Sequence, residues 1–255
     1  DEVMLDTPLS VNHMDSLDEL RQFFNAHNFF GVPVVDDHQR LVGIVERSIL
    51  ESAVSKESAS VFMKISGIIG GEELRTMPLY IRSGRRLSWL SINIGLNLIA
   101  ASVIAMYTDT LQAAIALAVF LPMISDMSGC SGNQSVAVSM RELATGLVRP
   151  KEIGRVMFKE ASVGIINGIV LGLILGGISI LWKANPWLGL VVGAALACNT
   201  VIAVVLGGTL PLILKRLKLD PAMVSGPILT TVTDMCGFFF VLSFAQVILE
   251  KLITT

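Results

Sequence analysis

Apolar residues dominate five long stretches of the chain, at about residues 87–107, from about 111 onward, and at about 161–182, 187–214 and 221–249. A helix needs roughly 20 apolar residues to cross the hydrocarbon core of a bilayer, and each stretch is long enough. Polar residues 126–134 (DMSGCSGNQ) interrupt the second stretch, where Pro122, Gly129 and Gly132 predict a bent or loosened helix. The pattern therefore predicts five transmembrane helices.

The first 56 residues carry shorter, amphipathic patterns. Residues 16–24 (SLDELRQFF) place leucine and phenylalanine at helical spacing. Two apolar runs, 31–35 (GVPVV) and 41–45 (LVGIV), flank a polar turn and predict two strands. A second short helix is predicted at about 46–53. Together these elements predict a small α/β unit.

Residues 57–86 connect this unit to the apolar stretches. Their last part, 77–86 (MPLYIRSGRR), mixes apolar side chains with three arginines and predicts a helix that leads along the inner membrane face into the first span. We therefore divide the chain into an α/β unit at 1–56, a connecting, plug-like helical segment at 57–86 and a five-helix transmembrane domain at 87–255. The predicted fold class is mainly α.

The composition supports an integral membrane protein, because 53% of the residues are hydrophobic and 16% are charged, against about 25% charged in an average soluble domain. Of the 21 acidic residues, 13 lie within residues 1–73, together with all three histidines. An acidic surface of this kind suits cations and disfavours nucleic acid as a partner. The three cysteines lie in apolar sequence and are predicted to act as small hydrophobic residues.

Basic residues alternate between the predicted loops. They precede the first span and lie between the second and third and between the fourth and fifth, whereas the other two loops hold one base, Lys183. By the positive-inside rule, the N-terminal unit is predicted to be cytoplasmic and the C-terminus to be outside the cell membrane.

Two carboxylates lie deep in apolar sequence. Asp234 is the one ionisable residue of the last stretch, and Asp126 shares a helical face with Gly129, Cys130 and Asn133. A charge at the centre of a bilayer costs about 2.5–3.5 kcal/mol even on the lenient insertion scale, so each carboxylate needs a partner, water or a cation. One alternative for Asp234 is a hydrogen bond to a neighbouring helix, and one for Asp126 is water at a helix bend.

Other spans also carry polar or small residues. Asn199 is a further candidate ion ligand, and a hydrogen bond between helices is its alternative role. The third stretch holds glycines that we expect to permit close helix packing, at 164, 168, 172, 176 and 177.

The residues give no support to an enzyme. No histidine follows His38, so the spans offer no Ser/His/Asp or Cys/His arrangement. Neither an HExxH sequence nor a P-loop occurs in the chain.

Two family resemblances follow from short motifs. The N-terminal unit resembles a CBS motif in its runs at 15–20, 31–36 and 41–45. The chain from Gly67 onward resembles the MgtE-type magnesium channel family. The matching motifs are Arg86-x-x-Trp89-Leu90, Pro122-x-Ile124-x-x-Met127-x-Gly129, Gly132-x-Gln134-Ser135, Arg141-x-Leu143-Ala144-x-Gly146, Lys159-Glu160-x-x-x-Gly164-x-x-Asn167-Gly168, Asn199, Asp220-Pro221-Ala222-x-x-x-Gly226-Pro227 and Thr231-x-x-Asp234.

The resemblance implies a homodimer of five-helix subunits that conducts Mg²⁺ through a pore at the subunit interface. It implies that the last-span aspartate, Asp234, meets its symmetry mate and binds the ion. We expect help from oxygens at Gly226, Thr230 and Thr231, and from Asn199. The family usually reads Gly-Gly-Asn where this chain has residues 128–130 (SGC), and we expect Asp126 to supply oxygens in compensation.

The resemblance also implies that the cytoplasmic part senses magnesium. Glu72, Glu73 and Asp36 are the candidate regulatory ligands. CBS motifs bury their sheets in pairs, so the single motif predicts pairing with a second subunit or with a motif outside this chain.

Two other functions remain open from the sequence. Asp126 and Asp234 would also suit a proton or Na⁺ relay in an ion-coupled exchanger. A non-transporting CBS sensor anchored in the membrane is the other alternative, although an anchor gains nothing from deep carboxylates.

Overall fold

The computed structural model describes residues 8–70 and 73–254. Its internal contacts divide the chain into two units, the first ending at Met63 and the second beginning at Lys64.

The described residues of the first unit, from position 8 onward, form a three-stranded sheet with two helices. The elements are β1 (Val11–Asn12), α1 (Leu17–Ala26), β2 (Gly31–Val35), β3 (Leu41–Glu46) and α2 (Arg47–Ile65), whose last residues belong to the second unit. The middle strand β2 pairs with β1 in parallel and with β3 antiparallel. This order of strands and helices confirms the predicted α/β unit.

Two local interactions define the ends of these helices. Ser16 caps α1 through a reciprocal capping box with Glu19, which satisfies backbone N–H groups of the first turn. The Arg47 guanidinium donates to the carbonyls of Phe24 and His27, at 2.7 and 2.8 Å, and so joins the end of α1 to the start of α2. The prediction that the second helix ends near residue 53 is wrong, because α2 is 19 residues long and ends at Ile65.

The second unit contains the membrane helices. It comprises α3 (Leu79–Met106), α4 (Thr108–Ala113), a 3-10 helix (Ile115–Val119), α5 (Leu121–Ala144), α6 (Ile153–Lys183), α7 (Pro186–Arg216), α8 (Pro221–Val247) and α9 (Leu249–Thr254). Within the described ranges, five spans are long and apolar enough to cross a membrane: Leu79–Met106, Ile115–Ala144, Ile153–Lys183, Pro186–Arg216 and Pro221–Val247. The five predicted transmembrane helices are thus confirmed.

The structure shows no separate connecting helix among the described residues. Residues 57–65 are part of α2, turns follow, and residues 79–86 form the first turns of α3. The first span is therefore longer at its N-terminal end than the apolar pattern alone indicated.

Residues 126–134 lie inside α5, which is continuous from Leu121 to Ala144, so this polar run does not break the helix. The second span instead changes from the 3-10 helix Ile115–Val119 to α5 just before Pro122. Pro122 lies in the first turn, where its missing N–H would have had no partner within the helix. A Cβ at Gly132 would lie 2.9 Å from the carbonyl oxygen of Ala203 on α7. Gly132 thus permits a close contact between α5 and α7.

Helix α7 is the centre of the bundle, since it packs against α5, α6 and α8. Its contact with α6, which we call the glycine interface, is formed by Gly164, Gly168, Gly172 and Gly176 facing the α7 backbone. A Cβ at Gly168 would lie 2.6 Å from the carbonyl oxygen of Ala197. This confirms the predicted packing role of these four glycines, whereas a Cβ at Gly177 would meet nothing within 4 Å.

Candidate cation site

An open cleft of about 620 Å³ lies between α3, α5 and α8 of the second unit. Both deep carboxylates, Asp126 and Asp234, line it. Around them stand Asn97, Ile104, Ala118, Leu121, Pro122, Ser125, Gly129, Cys130, Asn133, Thr230 and Phe238. Carboxylate, amide and hydroxyl oxygens thus converge on one space that has apolar walls.

Helix α5 contributes the face that its sequence spacing predicts. Asp126, Gly129, Cys130 and Asn133 all line the cleft. The Asp126 side chain is exposed there and makes no hydrogen bond or ion pair with a described residue. An ion or its water shell can therefore approach this carboxylate without displacing a protein partner.

Helix α8 presents Thr230, Asp234 and Phe238, which are spaced one turn apart. The Ser125 hydroxyl of α5 donates a hydrogen bond to Oδ1 of Asp234. A hydrogen bond of Asp234 to a neighbouring helix is the alternative role that the sequence left open, and it is present here. Oδ2 accepts no hydrogen bond from the described residues, so the carboxylate keeps acceptor capacity beside the cleft.

Behind the cleft, α5, α7 and α8 are joined by buried polar groups. Asn199 of α7 uses its side-chain amide nitrogen twice, donating to the Ser128 hydroxyl oxygen at 2.7 Å and to the Thr233 carbonyl oxygen at 3.0 Å. All three side chains are fully buried. Together with the Ser125–Asp234 bond, these contacts form what we call the polar interface.

Three predicted ligands are not among the residues that line the cleft. Asn199 lies in the polar interface. Thr231 is buried and donates its hydroxyl to the Pro227 carbonyl oxygen of its own helix at 2.8 Å. Gly226 lies two turns before Asp234 on α8, and a Cβ there would meet nothing within 4 Å. The cleft thus unites Asp234, Asp126 and Thr230.

The candidate regulatory carboxylates have protein partners. Asp36 accepts from the backbone N–H groups of His38 and Arg40 and pairs with the Arg40 guanidinium. The hydrogen bond from the Arg40 backbone contributes most to lowering the pKa of Asp36 below its ordinary value.

Glu73 is enclosed between two arginines, Arg82 and Arg86 at the start of α3, and its side chain is 4% exposed. The hydrogen bond from Arg86 is the main cause of a lowered pKa at Glu73. Glu72, the remaining candidate, lies outside the described residues. In the part of the chain that the structure describes, no three His, Cys, Asp or Glu side chains come together as a metal site.

Sequence reasoning missed Ser125, Asn97 and Phe238. Ser125 precedes Asp126 by one residue, and its polarity within an apolar run was a weak signal. Its contact with Asp234 spans 109 residues of sequence and two helices, so no local spacing reveals it.

Comparison with known proteins relates the chain to transporters. Residues 121–244 match the family model MgtE, described as "Divalent cation transporter", and residues 1–56 match the CBS domain model. The chain is 31% identical over 252 residues to "Magnesium transporter MgtE" of Bacillus subtilis, covering 98% of this chain and 55% of the relative.

Two further relatives carry the same description. The Thermus thermophilus protein is 32% identical over 237 residues, which cover 91% of this chain and 52% of that protein. The Enterococcus faecalis protein is 30% identical over 249 residues, covering 98% and 54% respectively. The chain therefore spans about half the length of the curated relatives it matches.

Proposed function

We propose that this chain carries Mg²⁺ across a membrane, and we proceed from the premise that its membrane part belongs to the MgtE family of divalent cation transporters. The chain is a multi-pass membrane protein whose first 56 residues match the CBS domain model. The relatives' printed description, a magnesium transporter, supports Mg²⁺ as the transported ion.

One observation carries the proposal most directly. Asp126 and Asp234 line the same open cleft, although 108 positions separate them in the sequence. Carboxylates are rare and costly in membrane helices, where they mark ion pathways. Two carboxylates in one cleft are better explained by binding of a doubly charged ion than by a structural role.

The chemistry of the cleft suits a hydrated ion. Mg²⁺ prefers octahedral oxygen ligands at about 2.0–2.1 Å and loses its water reluctantly. The exposed carboxylate of Asp126, the carboxylate of Asp234 and the hydroxyl oxygen of Thr230 can accept hydrogen bonds from the waters around the ion. Mg²⁺ can therefore pass the cleft without losing all six waters of its hydration shell.

We further propose that two copies of the chain complete the pathway. In one copy the cleft is open to its surroundings. A second copy whose cleft faced it would set four carboxylates around one pathway, and their mutual repulsion would favour a divalent over a monovalent ion.

The proposed setting is the cell membrane, with the N-terminal unit in the cytoplasm and the C-terminus outside. The alternation of basic residues between the loops supports this orientation. Gating by the cytoplasmic unit is also proposed. If Glu73 or Asp36 binds a regulatory ion, it must first exchange its present arginine partners for that ion.

The test is ion flux into liposomes that contain the purified protein. We expect Mg²⁺ entry that follows the membrane potential, and we expect Asp234→Asn to abolish it. Asp109→Asn is a matched control, because Asp109 is exposed on α4 and outside the cleft. Mn²⁺, Co²⁺ and Ca²⁺ in parallel would define selectivity. Absence of flux in the unmodified protein would contradict the proposal and favour a sensor.

A second candidate function is an ion-coupled exchanger. The exposed Asp126, which has no ion-pair partner in the described part of the chain, supports it, because a relay needs a second carboxylate accessible to protons or Na⁺. Divalent flux that requires a pH or Na⁺ gradient would favour the exchanger, whereas flux driven by membrane potential alone would favour a passive pathway.

A further inference from the structure

The Asp234 carboxylate is held in place by a neighbouring helix. The donor is the Ser125 hydroxyl of α5, and the acceptor is Oδ1 of Asp234 on α8. Both residues line the cleft, so the hydrogen bond lies on its wall. A hydrogen bond to a charged acceptor restricts its rotation and leaves its second oxygen for another ligand.

This bond can form only if α5 and α8 keep a fixed separation and rotation. Immediately behind it, Asn199 donates to Ser128 of α5 and to the Thr233 carbonyl of α8. Ser128 lies three residues after Ser125, and Thr233 directly precedes Asp234. A single amide group thus joins the two helices at the level of the carboxylate.

The surroundings of Asn199 are shaped for this bridge. The Ser128 hydroxyl donates its own proton to the Ile124 carbonyl, so its oxygen is free to accept from Asn199. At Gly237, one turn after Thr233, a Cβ would lie 2.8 Å from the Asn199 amide nitrogen. The glycine therefore opens the space through which the amide reaches the α8 backbone.

We propose that Asn199 and Ser128 are positioning residues that hold α5 against α8 so that Ser125 orients the Asp234 carboxylate toward the ion. This inference rests on the proposed transport function and names residues that act without touching the cargo. Among the described residues, Asn199 Oδ1 has no hydrogen-bond partner, so the amide is held by its two donated bonds alone.

The test measures the half-saturating Mg²⁺ concentration and the maximal flux separately, in liposomes. Ser125→Ala is expected to raise the half-saturating concentration about threefold or more, the size of a typical hydrogen bond between membrane helices. Ser125→Thr keeps the hydroxyl and should restore the original value. Ser162→Ala is the matched control, because Ser162 is exposed on α6 and bonds within its own helix to Phe158.

A double-variant cycle separates positioning from general stability. Ser128→Ala removes the α5 acceptor of Asn199 without adding volume, so the fold should survive. If the bridge acts through Ser125, Ser128→Ala raises the half-saturating concentration in the original protein but adds little in the Ser125→Ala protein. Equal effects in both backgrounds would overturn the bridge as a positioning device.

The failures of the two proposals are distinguishable. If the original protein carries no Mg²⁺, the proposed function fails. If the original protein transports and Asp234→Asn does not, but Ser125→Ala keeps the original half-saturating concentration, the positioning role is wrong and the proposed function stands.

Discussion

The glycine interface and the polar interface both meet at α7, yet they hold the bundle together by different means. At the first, α6 glycines bring backbone against backbone, and a Cβ at Gly172 would lie 2.6 Å from the Gly193 carbonyl oxygen. At the second, side-chain amides and hydroxyls join α5, α7 and α8. Close backbone contact gives tight apolar packing, whereas hydrogen bonds fix polar groups at defined positions.

The two kinds of contact indicate two different roles for the interfaces, one in stability and one in transport. The glycine interface from Gly164 to Gly176 contains no ionisable residue, so it can be dry and permanent. The polar interface places a carboxylate beside an open cleft and therefore must satisfy polar groups in an apolar setting. We therefore expect substitutions at the glycine interface to lower mainly the stability of the protein, and substitutions at the polar interface to lower mainly its transport activity.

The largest expected effect is on stability at the glycine interface. Gly172→Ala places a methyl group into the Gly193 backbone, which cannot move like the end of a side chain. We expect a loss of about 1–3 kcal/mol in the free energy of unfolding. Thermal unfolding in detergent measures it.

Gly177→Ala is the matched control on the same helix. Its Cβ would meet nothing within 4 Å, and replacing a helical glycine with alanine ordinarily stabilises by roughly 0.5–1 kcal/mol. Opposite signs for the two substitutions are expected. If both substitutions stabilise the protein equally, helix propensity and not the interface decides the effect of these glycines.

The next effect concerns transport at the cleft. Asp126→Asn removes a charge that has no partner among the described residues, so the fold should keep its stability within about 0.5 kcal/mol. The half-saturating Mg²⁺ concentration should rise roughly tenfold, because one attraction to the divalent ion is lost. A dose series of liposome flux measures this rise. An unchanged concentration would exclude Asp126 from the pathway.

A smaller stability effect is expected at the polar interface. Gly237→Ala brings a methyl group against the Asn199 amide, the end of a side chain that can rotate away. We expect a loss of about 1 kcal/mol or less, smaller than at Gly172, together with weaker Mg²⁺ transport. Thermal unfolding and flux on the same preparation measure both. A loss larger than at Gly172 would contradict the assignment of the two interfaces.

The smallest expected effect is a local loss of stability at low pH, at the ion pairs near the start of α3, with both interfaces unaffected. Arg86 and Arg82 hold the pKa of Glu73 below its ordinary value of 4.5, so these contacts contribute stability above that pH. The contribution is lost as the pH falls through the lowered pKa of the folded protein. Hydrogen exchange, corrected for the intrinsic dependence of the rate on pH, should show lower protection factors at residues 73–86 at acidic pH than at pH 7, and little change at 164–176. Glu73→Gln should show the lower protection already at pH 7.

The local sequence pattern was sufficient for much of this molecule. The long apolar stretches determined five spans, because the thickness of the bilayer sets how many apolar residues a crossing helix needs, and that number can be counted in the sequence. The four-residue spacing of the α6 glycines predicted their packing role, and the spacing of Asp126, Gly129, Cys130 and Asn133 predicted one face of α5. These features lie within single helices, where periodicity fixes which residues share a side.

Relations between helices required the tertiary structure. The sequence did not reveal that Ser125 meets Asp234, that Asn199 points into the bundle, or that α5 runs unbroken past Gly132. In a membrane, residues that face lipid and residues that face the protein are both apolar, so hydrophobicity does not show which side of a helix is buried. The rotation of each helix is decided by the helices packed around it, and the positions of the polar contacts follow from that packing.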